Sequence, residues 1–275
     1  MPIITLTTDF GEKDHFAGAV KGAIYSELGD VKIVDISHSI SPFHITEAAY
    51  VIKNAYKSFP EGTIHIIGID SELTPENRHI ALKLDGHYFI CANNGILSLI
   101  AREFRPEKMV EINIHGTTAS NFPVLDVFVR VASHLARGGT LEVIGKPILE
   151  IKQIKEAEPY VNADKSQIRG NVLYIDNYGN VITNITRKIF DEVCRGRNFT
   201  IKARNASFTK IHESYSDAID FNKEQFNRED GKKLAIFNSG GYIELAIYKS
   251  NPSTVGSAAS LFGLEWRDTV VINFE

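Results

Sequence analysis

The chain runs to 275 residues, with 30 Lys and Arg against 34 Asp and Glu, a net charge of −4 and 43% hydrophobic residues. That balance leaves no electrostatic footprint for nucleic acid or an anionic membrane surface, and the length allows about two domains of ordinary size. Two cysteines, Cys91 and Cys194, are too few for a disulfide framework and fit a reducing, cytoplasmic location. Met1 leads straight into Pro-Ile-Ile-Thr-Leu-Thr-Thr-Asp, so no signal peptide is expected. Nowhere do about 18 apolar residues run together, so no transmembrane helix is expected either.

Residues 3–7 form a short β-rich run that ends in Thr8-Asp9-Phe10-Gly11, and 16–28 carry the spacing of an amphipathic helix. A second apolar run over 31–36 closes in a polar turn at 38–42. Helical spacing returns over 45–58 through Ala48, Val51, Ile52 and Ala55, and 63–69 is a β-branched strand closing on Asp70. This β-α-β-α-β order predicts an α/β domain with a mostly parallel sheet covered by helices. Residues 79–84 and 87–92 read as two strands joined at Asp85-Gly86, a strong hairpin signal, and 94–101 and 128–135 read as helices. The stretch 152–167 turns polar and charged, a boundary that separates an α/β domain over 1–155 from a second domain over 165–275. Short β-rich runs then follow at 169–175, 181–185, 199–201, 235–237, 242–247 and 269–274, with helices only at 187–194 and 257–262. They predict a smaller, mainly β, barrel-like domain, in which 212–233 is a long polar loop.

No Gly-x-x-x-x-Gly-Lys-Ser/Thr loop and no Gly-x-Gly-x-x-Gly after the first strand is present. The first strand instead delivers Asp9 at its carboxyl end, where open α/β sheets bind ligands. A carboxylate there can accept both hydroxyls of a ribose, or it can simply cap the next helix. Asp70 also ends an apolar strand and belongs on the same edge; the polar stretch 71–79 behind it can fold over a pocket or stand as an exposed loop. A third cluster is Ile175-Asp176-Asn177-Tyr178-Gly179-Asn180. It joins a tight turn at Gly179, the amide of Asn180 and the aromatic face of Tyr178, groups that suit a purine and equally a plain β-turn. The nine histidines show no His-x-x-x-His or His-Glu-x-x-His spacing, so no metal site is expected. Cys91, inside an apolar run, reads as a buried small residue rather than a nucleophile.

Taken together, these stretches resemble the S-adenosylmethionine (SAM) hydroxide adenosyltransferase family, the SAM hydrolases related to fluorinase and chlorinase. The matching blocks are Ile4-Thr5-Leu6-Thr7-Thr8-Asp9-Phe10-Gly11, Val20-Lys21-Gly22, Ile36-Ser37-His38 through Ala48-Ala49, Asn94-Gly95-Ile96-Leu97-Ser98 and Asp126-Val127-Phe128 to Ala136. They continue with Ile175 to Ile185, Asn238-Ser239-Gly240-Gly241-Tyr242-Ile243-Glu244 and Gly256-Ser257-Ala258-Ala259. The resemblance implies a homotrimer whose ligand lies between the first domain of one subunit and the second domain of the next. It implies that Asp9 holds the ribose with Phe10 beside it, that Asn180 reads the adenine, and that Tyr178 packs on the base. The main chain near Ala258 would complete adenine recognition, while Asp176 and Ser239 would hold the methionine amino and carboxylate groups. Family members cleave the C5′–sulfonium bond without a cofactor, SAM being the substrate. Water or hydroxide gives adenosine and methionine, or a halide attacks instead.

In the hydrolase branch an Asp, an Arg and a His position the attacking water. The family pattern after its Asp, Pro-Gly-Val-Gly-Thr-x-Arg-Arg, reads here from Asp70 as Ser-Glu-Leu-Thr-Pro-Glu-Asn77-Arg78. Asp70 is kept, Asn77 stands at the arginine, and Arg78 lies one place along. The family's Phe-His-Gly-Arg-Asp reads Phe122-Pro123-Val124-Leu125-Asp126, so Pro123 replaces the histidine. Val124 takes the place of the small hydroxyl residue of the halogenases and offers a halide no donor. Two readings follow: a SAM hydrolase using Asp70 with Asn77 and Arg78, or His79, or a catalytically impaired trimeric protein that binds SAM or adenosine as a sensor or scaffold.

Overall fold

The first strand, β1 (Ile3–Thr8), is buried from Ile4 onward. It lies between two parallel neighbours, β2 (Lys32–Ser37) and β3 (Ile64–Gly68). The computed structural model describes residues 1–101, 105–114, 120–221 and 229–275. Parallel neighbours need crossovers, and these are α1 (Phe16–Glu27) and α2 (Ile45–Ala55). The first turns Ala17, Val20 and Ile24 inward; the second turns Ala48, Ala49 and Ile52 inward. The hairpin of β4 (His79–Leu84) and β5 (His87–Ala92) closes at Asp85 and Gly86, with φ of 52° and 76°. Two successive positive φ values match the strand twist in a two-residue loop. The unit is completed by α3 (Ile96–Ile100), β6 (Lys108–Ile112), a π-helical turn at Val124–Phe128, α4 (Val129–Ala136), α5 (Leu141–Ile144) and β7 (Gly145–Pro147).

The sheet order is β2-β1-β3-β5-β4-β6-β7. The pairings from β2 to β5 are parallel and those from β5 to β7 antiparallel, so the sheet is mixed and the mostly parallel expectation is corrected. The physical cause is the hairpin. Its second strand β5 joins β3 in parallel, so its first strand β4 runs antiparallel on the far side, and β6 and then β7 continue the sheet antiparallel beyond it. Those two short strands had not been read from the sequence. One face packs Ile4, Leu6, Ile64 and Ile66 against α1 and α4, and the other packs Ile67, Phe89 and Cys91 against α2 and α3. Burial on both faces explains the near-continuous apolar runs.

The second half comprises β8 (Tyr160–Val161), β9 (Gln167–Ile175), β10 (Val181–Thr186), α6 (Arg187–Cys194), β11 (Phe199–Ala203), β12 (Ala206–Phe208), β13 (Lys233–Phe237), β14 (Tyr242–Ile247), α7 (Ala258–Phe262) and β15 (Thr269–Phe274). Its strands pair antiparallel in the order β12-β11-β15-β9-β10-β14-β13, with β8 on β9, and curl into a nearly closed, barrel-like sheet. Thr186 caps α6, and Ser257 with Ser260 forms a capping box on α7. In the expected loop over 212–233, the described part holds a 3-10 turn at Ser216–Ala218; residues 222–228 lie outside the described residues. Backbone contacts divide the chain into two compact units, Met1–Glu156 and Ala157–Glu275. Among the described residues, no helix is long and apolar enough to cross a membrane.

Candidate functional site

Thr8 of β1 stands in register with Gly68 of β3, so the carboxyl ends of these parallel strands deliver Asp9 and Asp70 to one edge. Both line a cavity of about 490 Å3 together with Phe10, Phe16, Phe43, Ser71, Glu72, Phe122 and Pro123. Gly68 makes room for this corner. A Cβ there would stand 3.0 Å from Val124 and 3.2 Å from the Phe10 ring. Phe43 (φ 61°) and Asp70 (φ 42°) both hold left-handed backbone that non-glycine residues seldom adopt. That conformation lets Phe43 donate its N–H to Asp9 Oδ2 at 2.8 Å. Burial pushes the Asp9 carboxyl above its ordinary range; the Phe43 N–H opposes this, and the Asp70 charge adds to it. Three carboxylates on one cavity, those of Asp9, Asp70 and Glu72, favour a cationic ligand.

Asp70 is braced twice. The buried Asn94 donates Nδ2 to the carbonyl of Ile69 at 2.9 Å, and Asn77 Nδ2 donates to Asp70 Oδ2 at 3.4 Å. Asn77 in turn accepts from Lys152 Nζ at 3.1 Å. Arg78 is exposed, its carbonyl accepts from Asn93 N–H, and the cavity lining does not include it. His79 is buried edge-on to Phe128, with Nε2 2.9 Å from the Ser71 carbonyl. Pro123 borders the cavity and Val124 is buried in the π-helical turn behind it; neither side chain offers a hydrogen-bond donor.

In the second unit, the loop from β9 to β10 folds around Asp176. Its Oδ1 accepts the N–H groups of Tyr178 and Asn180 at 2.9 and 2.8 Å, and its Oδ2 accepts Asn180 Nδ2 at 3.0 Å. Gly179, at φ 74°, lies so close to the start of α7 that a Cβ would come within 2.2 Å of Ser257. Its carbonyl accepts the N–H of Ala259, which ties this loop to the helix that begins at Ala258. A cavity of about 340 Å3 opens here between Tyr178, Asn180, Tyr215 and Tyr248. Ser239 sits exposed in the turn between β13 and β14, where Asn238 Oδ1 accepts from Gly240 N–H at 3.0 Å.

Four residues of these two clusters were not read from the sequence: Phe43, Lys152, Tyr215 and Glu244. Tyr215 donates its hydroxyl to the buried Glu244 and stands 3.4 Å from Asn180 Nδ2. Burial raises the Glu244 carboxyl above its usual range; the Tyr215 bond opposes this and the Asp176 charge adds to it. Burial and Glu244 together push the Tyr215 phenol up. A signal for Glu244 did exist, since it is the one charge in the apolar strand Tyr242–Ile247. Cys91 is fully buried and its thiol is pushed up by burial, as suits an inert core residue. Among the described residues, no group of three or more His, Cys, Asp or Glu could hold a metal ion.

Family models match almost the whole of this architecture: the SAM hydroxide adenosyltransferase N-terminal domain over residues 4–145 and the C-terminal domain over 170–271. The chain belongs to the SAM hydroxide adenosyltransferase family. Among relatives of this family, an (R)-S-adenosyl-L-methionine hydrolase of Methanocaldococcus jannaschii is 29% identical, covering 99% of this chain and 96% of its own. A fluorinase of Nocardia brasiliensis is 26% identical over 89% of this chain and 90% of its own. The crystal structure of an uncharacterized conserved protein from Thermotoga maritima superposes with a TM-score of 0.83 at 25% identity, covering 99% of this chain and all of that one. Asp9, Asp70 and Asn77 lie inside the first matched region, and Asp176, Tyr178 and Asn180 inside the second.

Proposed function

We propose that the chain hydrolyses S-adenosylmethionine to adenosine and L-methionine by attack of water or hydroxide at C5′. The observation that carries this reading is the convergence of Asp9 and Asp70 on one cavity from the ends of adjacent parallel strands. It is supported by similarity to proteins named SAM hydrolases over nearly the whole chain. Asp9, steadied by the Phe43 N–H, accepts the ribose hydroxyls, with Phe10 beside it. Asn180 reads the adenine edge, Tyr178 covers the base, and the main chain at Ala258 completes recognition. Asp176 and Ser239 hold the amino and carboxylate groups of the methionine portion. Asp70, with Asn77 hydrogen-bonded to it and Arg78 the residue after Asn77, handles the attacking water.

The oxygen of that water forms a bond to C5′ as the C5′–S bond breaks. The bonding pair passes to sulfur, which becomes the neutral thioether of methionine, and the water proton leaves by way of Asp70 to solvent. A sulfonium is already a good leaving group, so no cofactor is required by the reaction. The protein contributes alignment and a dry, negatively charged pocket. A halide in place of water is not favoured, because Val124 offers it no hydrogen bond. A homotrimer, with each ligand held between the first unit of one copy and the second unit of the next, is part of this proposal, as is a cytoplasmic location.

The test is incubation of pure protein with SAM and chromatography of the products. Adenosine and methionine should appear in equal amounts, and Asp70→Ala should slow their release by about a hundredfold or more, the scale of a positioned base. Tight SAM binding by calorimetry with no product above the Asp70→Ala control would overturn hydrolysis in favour of a binding protein.

A further inference from the structure

Beside Asp70 the resemblance leads one to expect an arginine, and the chain places Asn77 there. The Asn77 amide lies between two opposite charges. Its Nδ2 donates to Asp70 Oδ2 at 3.4 Å, and its Oδ1 accepts from Lys152 Nζ at 3.1 Å. An amide so placed is polarised along the line from the ammonium to the carboxylate, and hydrogen bonds in such a chain strengthen one another. Asn77 is itself fixed by its turn, where its N–H donates to Thr74 Oγ1 at 3.0 Å.

Lys152 is anchored on both sides. Its own N–H donates to Asn93 Oδ1 at 2.8 Å, and two residues later the Ile154 N–H donates to Ser98 Oγ at 3.0 Å. The Ile154 side chain lies over Gly95, where φ is 102° and a Cβ would come within 2.3 Å of it. The segment is therefore a strap seated across the turn that holds Asn94, the residue bracing the backbone before Asp70. Arg78, the nearer cation in sequence, is exposed and does not line the cavity.

We propose that Lys152 is a positioning residue for the water-handling carboxylate, supplying through the Asn77 amide the positive charge that an arginine would supply directly. This rests on the hydrolase reading above and deepens it. Lys152 is exposed, so its ion–dipole contact adds little to stability; its effect belongs in turnover, where the Asp70 carboxylate must be correctly aimed at the water.

The experiment compares wild type, Lys152→Met, Lys152→Arg, Asn77→Ala and the Lys152→Met/Asn77→Ala double variant with SAM as substrate. Lys152→Met should lower kcat about three- to tenfold, the range for one weak charge-assisted contact, with KM unchanged. Lys152→Arg should restore most of the loss, and Lys152→Met should have no further effect once Asn77 is alanine. A Lys152→Met protein with wild-type kcat, or losses that simply multiply in the double variant, would overturn the proposal. In parallel, the Asn77 side-chain amide resonances of 15N-labelled protein should move in Lys152→Met and in Asp70→Asn, and return in Lys152→Arg. Resonances that stay put in Lys152→Met overturn the bridge whatever the activity. A wild-type protein that releases no adenosine overturns the hydrolase reading separately, and Lys152's role in hydrolysis with it.

Discussion

Asp9 is asked to do two things with one carboxylate. Its Oδ2 already accepts the Phe43 N–H at 2.8 Å, which orients the group and leaves Oδ1 for the ribose contact proposed above. Asp9→Ala should weaken adenosine binding about ten- to a hundredfold, the usual span for hydrogen bonds to a charged group, with the far-UV spectrum unchanged; equal affinity by calorimetry refutes the ribose assignment. Burial holds this carboxyl above the ordinary aspartate range despite Phe43, and the Asp70 charge adds to the effect. Adenosine affinity should therefore fall on acidification at a higher pH than an ordinary aspartate would dictate. Asp9 and Asp70 were legible in the sequence because each ends a β-branched run, and strand ends of a parallel sheet gather on one edge. Phe43 was not, because its role depends on a left-handed backbone at φ 61° rather than on its side chain. Lys152 was not, because it reaches Asn77 across 75 positions. Glu244 was legible in principle, a lone charge in an apolar strand, but its partner Tyr215 lies in a polar stretch without periodicity.

At the scale of elements, β3 carries a second story. Its pleat sends Ile64 and Ile66 to one face and His65 to the other, where the imidazole Nδ1 meets Thr5 Oγ1 at 2.7 Å and Nε2 meets His87 Nδ1 at 3.2 Å. Phe89 stacks on the His65 ring and Tyr56 meets both histidines edge-on, while Asp85 and Glu61 act only on His87. Burial, with His87 adding to it, lowers His65 from 6.5 to about 3. The imidazole is neutral in the fold and regains its ordinary value on unfolding. Its contribution is therefore complete above pH 6.5 and is lost as pH falls from 6.5 towards 3. At about 1.4 kcal/mol per pH unit, the whole span is worth up to roughly 4–5 kcal/mol. Urea unfolding across that window should show the loss in wild type and a much flatter profile in His65→Leu/Thr5→Val, which removes the imidazole without orphaning the threonine hydroxyl. Equal slopes would assign the acid sensitivity elsewhere. The β9–β10 loop makes a simpler prediction. Gly179→Ala meets both a φ of 74° and a Cβ within 2.2 Å of Ser257, so it should cost more than the roughly 1 kcal/mol of positive φ alone and abolish adenosine binding. A wild-type urea midpoint would contradict the close approach.

At the scale of the whole molecule, each unit has its own core, and each carries one half of the residues assigned to the ligand. The α/β character of the first half and the β character of the second were legible, because long periodic helices and evenly spaced β-branched runs dominate them. The antiparallel edge of the first sheet was not, since β6 and β7 are five and three residues long and their pairing is dictated by the hairpin beside them. The division of ligand residues between two units is what makes the proposed trimer testable without measuring size at all. If one site takes Asp9 from one copy and Asn180 from the next, then Asp9→Ala and Asn180→Ala proteins should each be inactive alone. Mixed and allowed to exchange subunits, they should recover activity, because some sites receive an intact Asp9 from one variant and an intact Asn180 from the other. Random assortment in a cyclic assembly restores about one site in four, so release of adenosine should rise to roughly a quarter of the wild-type rate. A trimer whose sites each lie within one chain forms the same mixed assemblies, yet every chain in them carries one lesion. Exchange confirmed by mass, with no adenosine recovered, would place both halves of the site in a single copy.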